Sequence, residues 1–168
     1  NGSRLDFNGE YYRHAPMTPM FNPGPNPHGP PPILLGGLGP KMTEVAGEVA
    51  DGLIVHPFNN MPFLLDHALP AVERGLAIAG RARETFLLQI NAIVITGETE
   101  EARQIATESV KGLLGFYSST PAYRPPMEAV GYGELQPVLN QLSKEGRWEE
   151  LGGYIDDTFL DAFTTRGE

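Results

Sequence analysis

The chain has 168 residues, of which 40% are apolar and 20% charged, and its net charge is −9; these values predict a single globular domain without bulk attraction to nucleic acid or to an anionic membrane. It contains no cysteine, which excludes disulfides, thiolate chemistry and zinc–thiolate sites. Because no apolar run approaches ~18 residues and no signal pattern opens the chain, we predict a soluble, cytoplasmic protein.

The first 32 residues predict a hairpin followed by an extended loop. Residues 5–12 alternate around Gly9, which is typical of a short strand or hairpin. Tyr11 and Tyr12 could stack on a planar ligand, but a pair of aromatics covering the hairpin is the simpler interpretation. Residues 16–32 are rich in proline, which prevents a helix or a central strand. This loop is either a lid near a site or an ordinary long connection.

The segment Pro30–Pro57 predicts one βαβ unit. A wholly apolar run at 33–35 indicates a parallel strand covered on both faces. A glycine-rich turn at 36–39 follows, and Pro40 suits the first turn of a helix. The second buried strand is predicted at 53–55. The helix between them is predicted to bury one apolar face, formed by Met42, Val45, Ala46, Val49 and Ala50.

The remainder predicts further α/β structure. A helical region is expected from Pro62, restarted or kinked at Pro70 and ended by Gly80. Residues 86–95 form the longest strand candidate, and its alternation places one set of side chains on a common face, namely Leu88, Ile90, Ala92 and Val94. Thr99 can cap the next helix. A loop over 118–126 and short helices up to residue 163 complete an α/β fold with a parallel sheet.

The glycine-rich turn is the best candidate for a binding site. Gly36, Gly37 and Gly39 would let backbone N–H groups approach an anion closely, and the helix from Pro40 adds a positive dipole end. Lys41 could add a full charge. A phosphate or phosphodiester is the natural ligand. The pattern matches neither the P-loop nor the dinucleotide fingerprint, and such glycines can also serve the turn alone.

Other candidates are fewer. His56 directly follows a predicted strand, on the side where parallel α/β folds bind ligands, although it could simply cap a loop. We interpret His14, His28 and His67 as structural or surface residues. No spacing typical of a metal site and no nucleophile elbow is present. Arg124 could meet an acidic ligand tail, but a solvated loop residue is the simpler interpretation.

Two motifs carry a family resemblance. Residues 32–42, PILLGGLGPKM, and 46–52, AGEVADG, resemble the luciferase-like monooxygenase family. Residues 70–81 and 116–124 resemble its subgroup dependent on coenzyme F-420, a deazaflavin. The similarity covers nearly the whole chain, and it is much less specific for which flavin is bound.

The resemblance implies a (β/α)8 barrel about twice this long. Residues 1–168 are then expected to be an incomplete single barrel domain, with a hairpin and proline-rich loop at 1–32, a βαβαβα core at 33–118, and a loop with C-terminal helices at 119–168. The early strands would precede Asn1 and the closing strand would follow Glu168, so the chain alone should be inactive. We assign no catalytic residue, because the family's residues at the flavin ring come largely from early strands. The resemblance implies that the turn with Gly36, Gly37 and Gly39 cradles the cofactor phosphate. With the charge of Lys41 and the position of His56 after a strand, the predicted cofactor-binding residues are Gly36, Gly37, Leu38, Gly39, Pro40, Lys41 and His56.

Three alternative functions are compatible with these features of the sequence. The first is hydride transfer with coenzyme F-420 to or from an organic small molecule. The second is a two-component monooxygenase that uses FMN, and the third is a non-catalytic α/β domain that binds phosphate or a partner. The open edges of a truncated sheet would also favour a homo-oligomer.

Overall fold

The computed structural model describes residues 5–15, 18–22 and 24–167, and the chain divides into two compact units, 1–32 and 33–168. In the first unit β1 (Phe7–Asn8) pairs antiparallel with β2 (Arg13–His14), which confirms the predicted hairpin. Tyr11 and Tyr12 are 82% and 73% exposed, so they do not pack over it.

The second unit contains a parallel sheet with helices on one face. Strands β3 (Leu34–Gly37), β4 (Gly52–Val55) and β5 (Leu87–Ile90) lie in that order. Their register aligns Leu35, Leu53 and Leu88, and these side chains contribute to one core cluster. The predicted parallel α/β architecture is therefore confirmed.

Helix α1 (Pro40–Val49) joins β3 to β4, and its buried face differs from the predicted one. Met42, Val45 and Val49 are exposed, whereas Ala46 and Gly47 are buried. The reason is a close contact with α3 (Leu69–Ile78), where glycines from both helices let the backbones meet. Bulkier side chains on this face would hold the helices apart, so the face with the smallest residues is the buried one.

The segment between β4 and α3 begins with α2 (Met61–Phe63) and continues as a π-helical turn, Leu64–Ala68. This turn directly precedes the part of α3 that contains Pro70, whose ring cannot fit a regular α-helical turn. The predicted helical region, interrupted near Pro70, is confirmed. So is its end, because Gly80 has a φ of +64°.

The predicted strand over 86–95 is wrong as a single element. It divides into β5 and β6 (Ile93–Ile95), with Asn91 and Ala92 between them. The break changes the alternation, so the predicted common face does not form: Leu88 packs against a core cluster, whereas Val94 is 54% exposed and Ile95 is buried. Strand β6 pairs parallel with β7 (Thr164–Arg166). Residues 164–166, for which no strand was predicted, thus form one; Glu168 lies outside the described residues.

Four helices follow β6. Thr99 caps α4 (Glu100–Ser118) by accepting a hydrogen bond from the Ala102 N–H at 3.1 Å, as predicted. The predicted loop at 118–126 is partly wrong, because a 3-10 turn at Pro121–Tyr123 leads directly into α5 (Arg124–Glu128). Helices α6 (Leu135–Lys144) and α7 (Asp157–Phe163) follow. Among the described residues, no helix is both long and apolar enough to cross a membrane.

Candidate functional site

The carboxyl ends of β3 and β4 meet at one edge of the sheet. Gly37 pairs with Val55, so Leu38 and His56 leave neighbouring strands side by side. Asn59 reinforces this edge, because its side-chain N–H donates to the His56 carbonyl at 2.6 Å and to the Asn91 carbonyl at 3.3 Å. Parallel α/β folds bind ligands at this edge.

The N-terminus of α1 lies at the same edge. Strand β3 extends through Gly37, so the turn itself consists of Leu38 and Gly39, with Gly39 as the N-cap. The Thr43 N–H donates to the Gly39 carbonyl at 3.1 Å, which leaves the Lys41 and Met42 N–H groups without intrahelical acceptors. The first turn contains no acidic residue. Its positive end is therefore open to an external anion.

The three glycines of this region have different surroundings. A Cβ placed on Gly36 or Gly39 would have no atom within 4 Å. A Cβ on Gly37 would lie 3.3 Å from Leu53 and 3.5 Å from Met42, so Gly37 serves the packing of α1 on the sheet. The register places Gly36 beside Ile54, on the sheet face away from the helices. Gly36 and Gly39 thus leave space open beside the backbone, whereas the space beside Gly37 is occupied by the side chains of Leu53 and Met42.

Lys41 supplies a cation next to this turn. Its side chain is exposed, and no carboxylate of the described residues lies within ion-pairing distance of it. The nearby Arg74, by contrast, is bound to Glu44 at 2.9 Å. Arg124 is also paired, with Glu128 at 2.7 Å and Glu134 at 3.0 Å, so it is not the simple solvated loop residue that we predicted.

A cavity of about 290 Å³ opens beside the turn. Leu38, Gly39 and Pro40 contribute to its wall, whereas Gly36, Gly37, Lys41 and His56 lie outside it. The other residues that line it are Thr43 of the same helix and, from later segments, Phe63, Asp66, His67, Ala68, Arg74, Ala122 and Pro125. His67, interpreted as a structural or surface residue, is exposed, lines this cavity and stacks on Phe63 at 5.5 Å between ring centroids.

His56 lies half-buried in a group of aromatic rings. Its Nδ1 accepts the Phe58 N–H at 3.1 Å, and its Nε2 lies 3.3 Å from the Tyr123 hydroxyl oxygen. Its ring stacks on Tyr123 at 4.8 Å and meets the edge of Tyr117 at 5.0 Å. Burial lowers the pKa of His56 below its ordinary value of 6.5. The imidazole is therefore held neutral at physiological pH.

Tyr123 is the residue that sequence reasoning missed. It is 67 positions from His56, and the only available signal was its place in the motif at 116–124. Among the described residues, no group of three or more histidine, aspartate or glutamate side chains could hold a metal ion.

Together, the parallel sheet and the helix N-terminus at its carboxyl edge define an α/β protein. The luciferase-like monooxygenase family model matches residues 1–168, and the chain belongs to that family.

Two relatives cover almost the whole chain. An uncharacterised protein of Mycobacterium tuberculosis is 43% identical over 167 residues, which is 99% of this chain and 49% of the relative. The 5,10-methylenetetrahydromethanopterin reductase of Archaeoglobus fulgidus is 24% identical over 99% of this chain and 48% of the relative. The chain thus spans about half the length of these relatives.

A solved structure shares the fold. The coenzyme F-420-dependent tetrahydromethanopterin reductase of Methanopyrus kandleri superposes with a TM-score of 0.62 and 25% identity, over 79% of this chain and 37% of that one. It is a TIM-barrel enzyme, and a partial barrel fits the parallel strands and outer helices described above.

Proposed function

We propose that the protein is an oxidoreductase that binds coenzyme F-420 and transfers hydride to or from an organic small molecule. The observation that carries this proposal is the open space at the end of β3 and in the turn after it, where a Cβ added to Gly36 or Gly39 would meet no atom within 4 Å. A non-catalytic domain would instead be expected to fill this space with side chains. The F-420 dependence of the M. kandleri relative supports the choice of cofactor.

The residues of the turn fit the phosphate-bearing tail of such a cofactor. The Lys41 and Met42 N–H groups and the positive end of α1 would bind its negative charge, and the Lys41 ammonium would add a second attraction. Leu38 packs against the core cluster, which fixes the turn in place. When bound, the deazaflavin supplies the hydride chemistry, while the protein binds and orients it.

The choice between the two cofactors can be tested by titrating the purified full-length protein with F-420 and with FMN, following cofactor fluorescence. We expect binding of F-420 and weaker binding of FMN. Tight FMN binding without F-420 binding would overturn the proposal in favour of the monooxygenase. Binding of neither would favour the non-catalytic domain. Hydride transfer itself would appear as loss of oxidised F-420 absorbance with a small-molecule donor.

A charge variant tests the site. Lys41→Gln removes the exposed cation without adding bulk, and we expect it to weaken F-420 binding about threefold to tenfold, more at low than at high salt. Lys144→Gln, at an exposed lysine of α6, is the matched control and should bind like the wild type. Equal effects of the two substitutions would mean that only net charge matters and would count against this site.

A further inference from the structure

We propose that the Tyr123 hydroxyl donates a hydrogen bond to an acceptor oxygen of the bound cofactor, and that His56 is the positioning residue that turns this hydroxyl outward. The inference rests on the proposed function. It deepens that function by adding a contact from the segment that follows α4 to a site otherwise formed by β3 and α1.

The direction of the hydrogen bonds follows from the backbone. Since the Phe58 N–H donates to His56 Nδ1 at 3.1 Å, that nitrogen must present its lone pair. The proton of the neutral ring is then on Nε2. Nε2 lies 3.3 Å from the Tyr123 oxygen, so the imidazole donates and the phenol oxygen accepts.

This arrangement leaves the Tyr123 proton without a partner. A phenol that accepts one hydrogen bond still has its own O–H to donate. No acceptor for that proton is found among the described residues. Tyr123 as a whole is only partly buried.

The segment that carries Tyr123 borders the candidate site, although neither Tyr123 nor His56 lines the cavity itself. His56, on which it stacks, leaves β4 beside Leu38 of the turn. Ala122 and Pro125, on either side of Tyr123 in the chain, line the same cavity as Leu38 and Gly39. A ligand held at the turn therefore lies next to the segment that carries the hydroxyl.

The tautomer can be tested without any ligand. In protein labelled with ¹⁵N-histidine, long-range ¹H–¹⁵N correlation should show His56 with a protonated Nε2 and an unprotonated Nδ1, the signal being assigned by its loss in His56→Gln. A protonated Nδ1 would reverse the hydrogen bond to Tyr123 and overturn the inference, whatever the cofactor.

The ligand contact is tested by F-420 titration of two tyrosine variants. Tyr123→Phe keeps the ring and removes the hydroxyl, and we expect about fivefold to tenfold weaker binding. Tyr117→Phe is the matched control, because Tyr117 belongs to the same ring cluster and contacts His56 through its ring edge. It should bind as the wild type does. Equal weakening in both variants would indicate general packing and would contradict a specific donor.

The positioning role of His56 has its own test. His56→Gln keeps one acceptor and one donor and should retain binding within about twofold, while His56→Leu should weaken it about as much as Tyr123→Phe. If both variants bind like the wild type, His56 does not orient the phenol. If the wild type itself fails to bind F-420, the proposed function and the ligand contact fail together, and the tautomer measurement still decides the orientation of Tyr123.

Discussion

Helix α1 and the turn before it use glycine in two opposite ways. At the N-terminal end, Gly36 and Gly39 have open space where a side chain would be. In the middle of the helix, Gly47 faces Gly75 of α3, and a Cβ on either would overlap a backbone carbonyl of the other helix. The comparison shows that a glycine's role depends on what fills the missing side-chain volume: solvent or ligand at one end, a neighbouring helix in the middle.

The largest effect on stability is expected at the contact between α1 and α3. In Gly75→Ala the added methyl would overlap the Glu44 carbonyl, so the helices must separate, at a cost of about 3 kcal/mol or more in the free energy of unfolding. The change in the free energy of unfolding can be measured by urea denaturation, with circular dichroism as the probe of unfolding. Gly112→Ala, in open surroundings on α4, is the control and should be neutral or stabilising by up to ~1 kcal/mol. Similar stability of the two variants would show that α1 and α3 can separate freely.

A large effect on binding with little effect on stability is expected at the turn. Gly39→Val adds a branched side chain at the N-cap of α1, where it would keep a phosphate from the N–H groups of the helix, and Gly36→Val adds one on the open face of the sheet, where it would restrict the space for the rest of the ligand. We expect F-420 affinity to fall about tenfold or more, while the unfolding midpoint changes little. Gly153→Val, another glycine in open surroundings, is the control. Unchanged affinity in both turn variants would remove the site from this turn.

Gly37→Ala should have intermediate effects, and comparing its stability with its F-420 affinity separates a packing role from a binding role. The new Cβ would sit 3.3 Å from Leu53, so we expect a loss of about 1 kcal/mol in stability and less than threefold in F-420 affinity. Isothermal titration alongside thermal unfolding would measure both. A variant with full stability and no binding would instead place Gly37 at the ligand.

The smallest effect concerns His56 and pH. Because burial lowers its folded pKa below 6.5, the unfolded chain takes up the proton first as the pH falls. Its contribution to stability is complete above pH 6.5 and is lost as the pH drops below that value. His56→Gln should therefore flatten the pH dependence of the unfolding free energy below pH 6.5. An unchanged slope would mean that His56 titrates as it does in the unfolded chain.

Periodicity predicted much of the fold, with errors of a consistent kind. The hairpin, α1, β4, the Thr99 cap and the Gly80 terminator are as expected, because each depends on local backbone chemistry. Strand β3 is also present, but it extends through Gly37 into the predicted glycine-rich turn. The buried face of α1 was wrong because hydrophobicity ranks Val45 and Val49 above Gly47. The strand over 86–95 was wrong because Asn91 interrupts it and bonds the Val55 carbonyl at 3.4 Å, a partner distant in sequence.

For the candidate site, too, some features follow from the local sequence and others depend on tertiary contacts. The sequence by itself determined the glycine-rich turn, the helix that starts at Pro40 and the position of His56 after a strand, since these follow from residue type and order. Only the tertiary structure decided which glycines are open, which helix fills the space beside Gly47, and that Tyr123 stacks on His56. These contacts join residues far apart in the chain, and local pattern carries no information about which distant surface will occupy a given space.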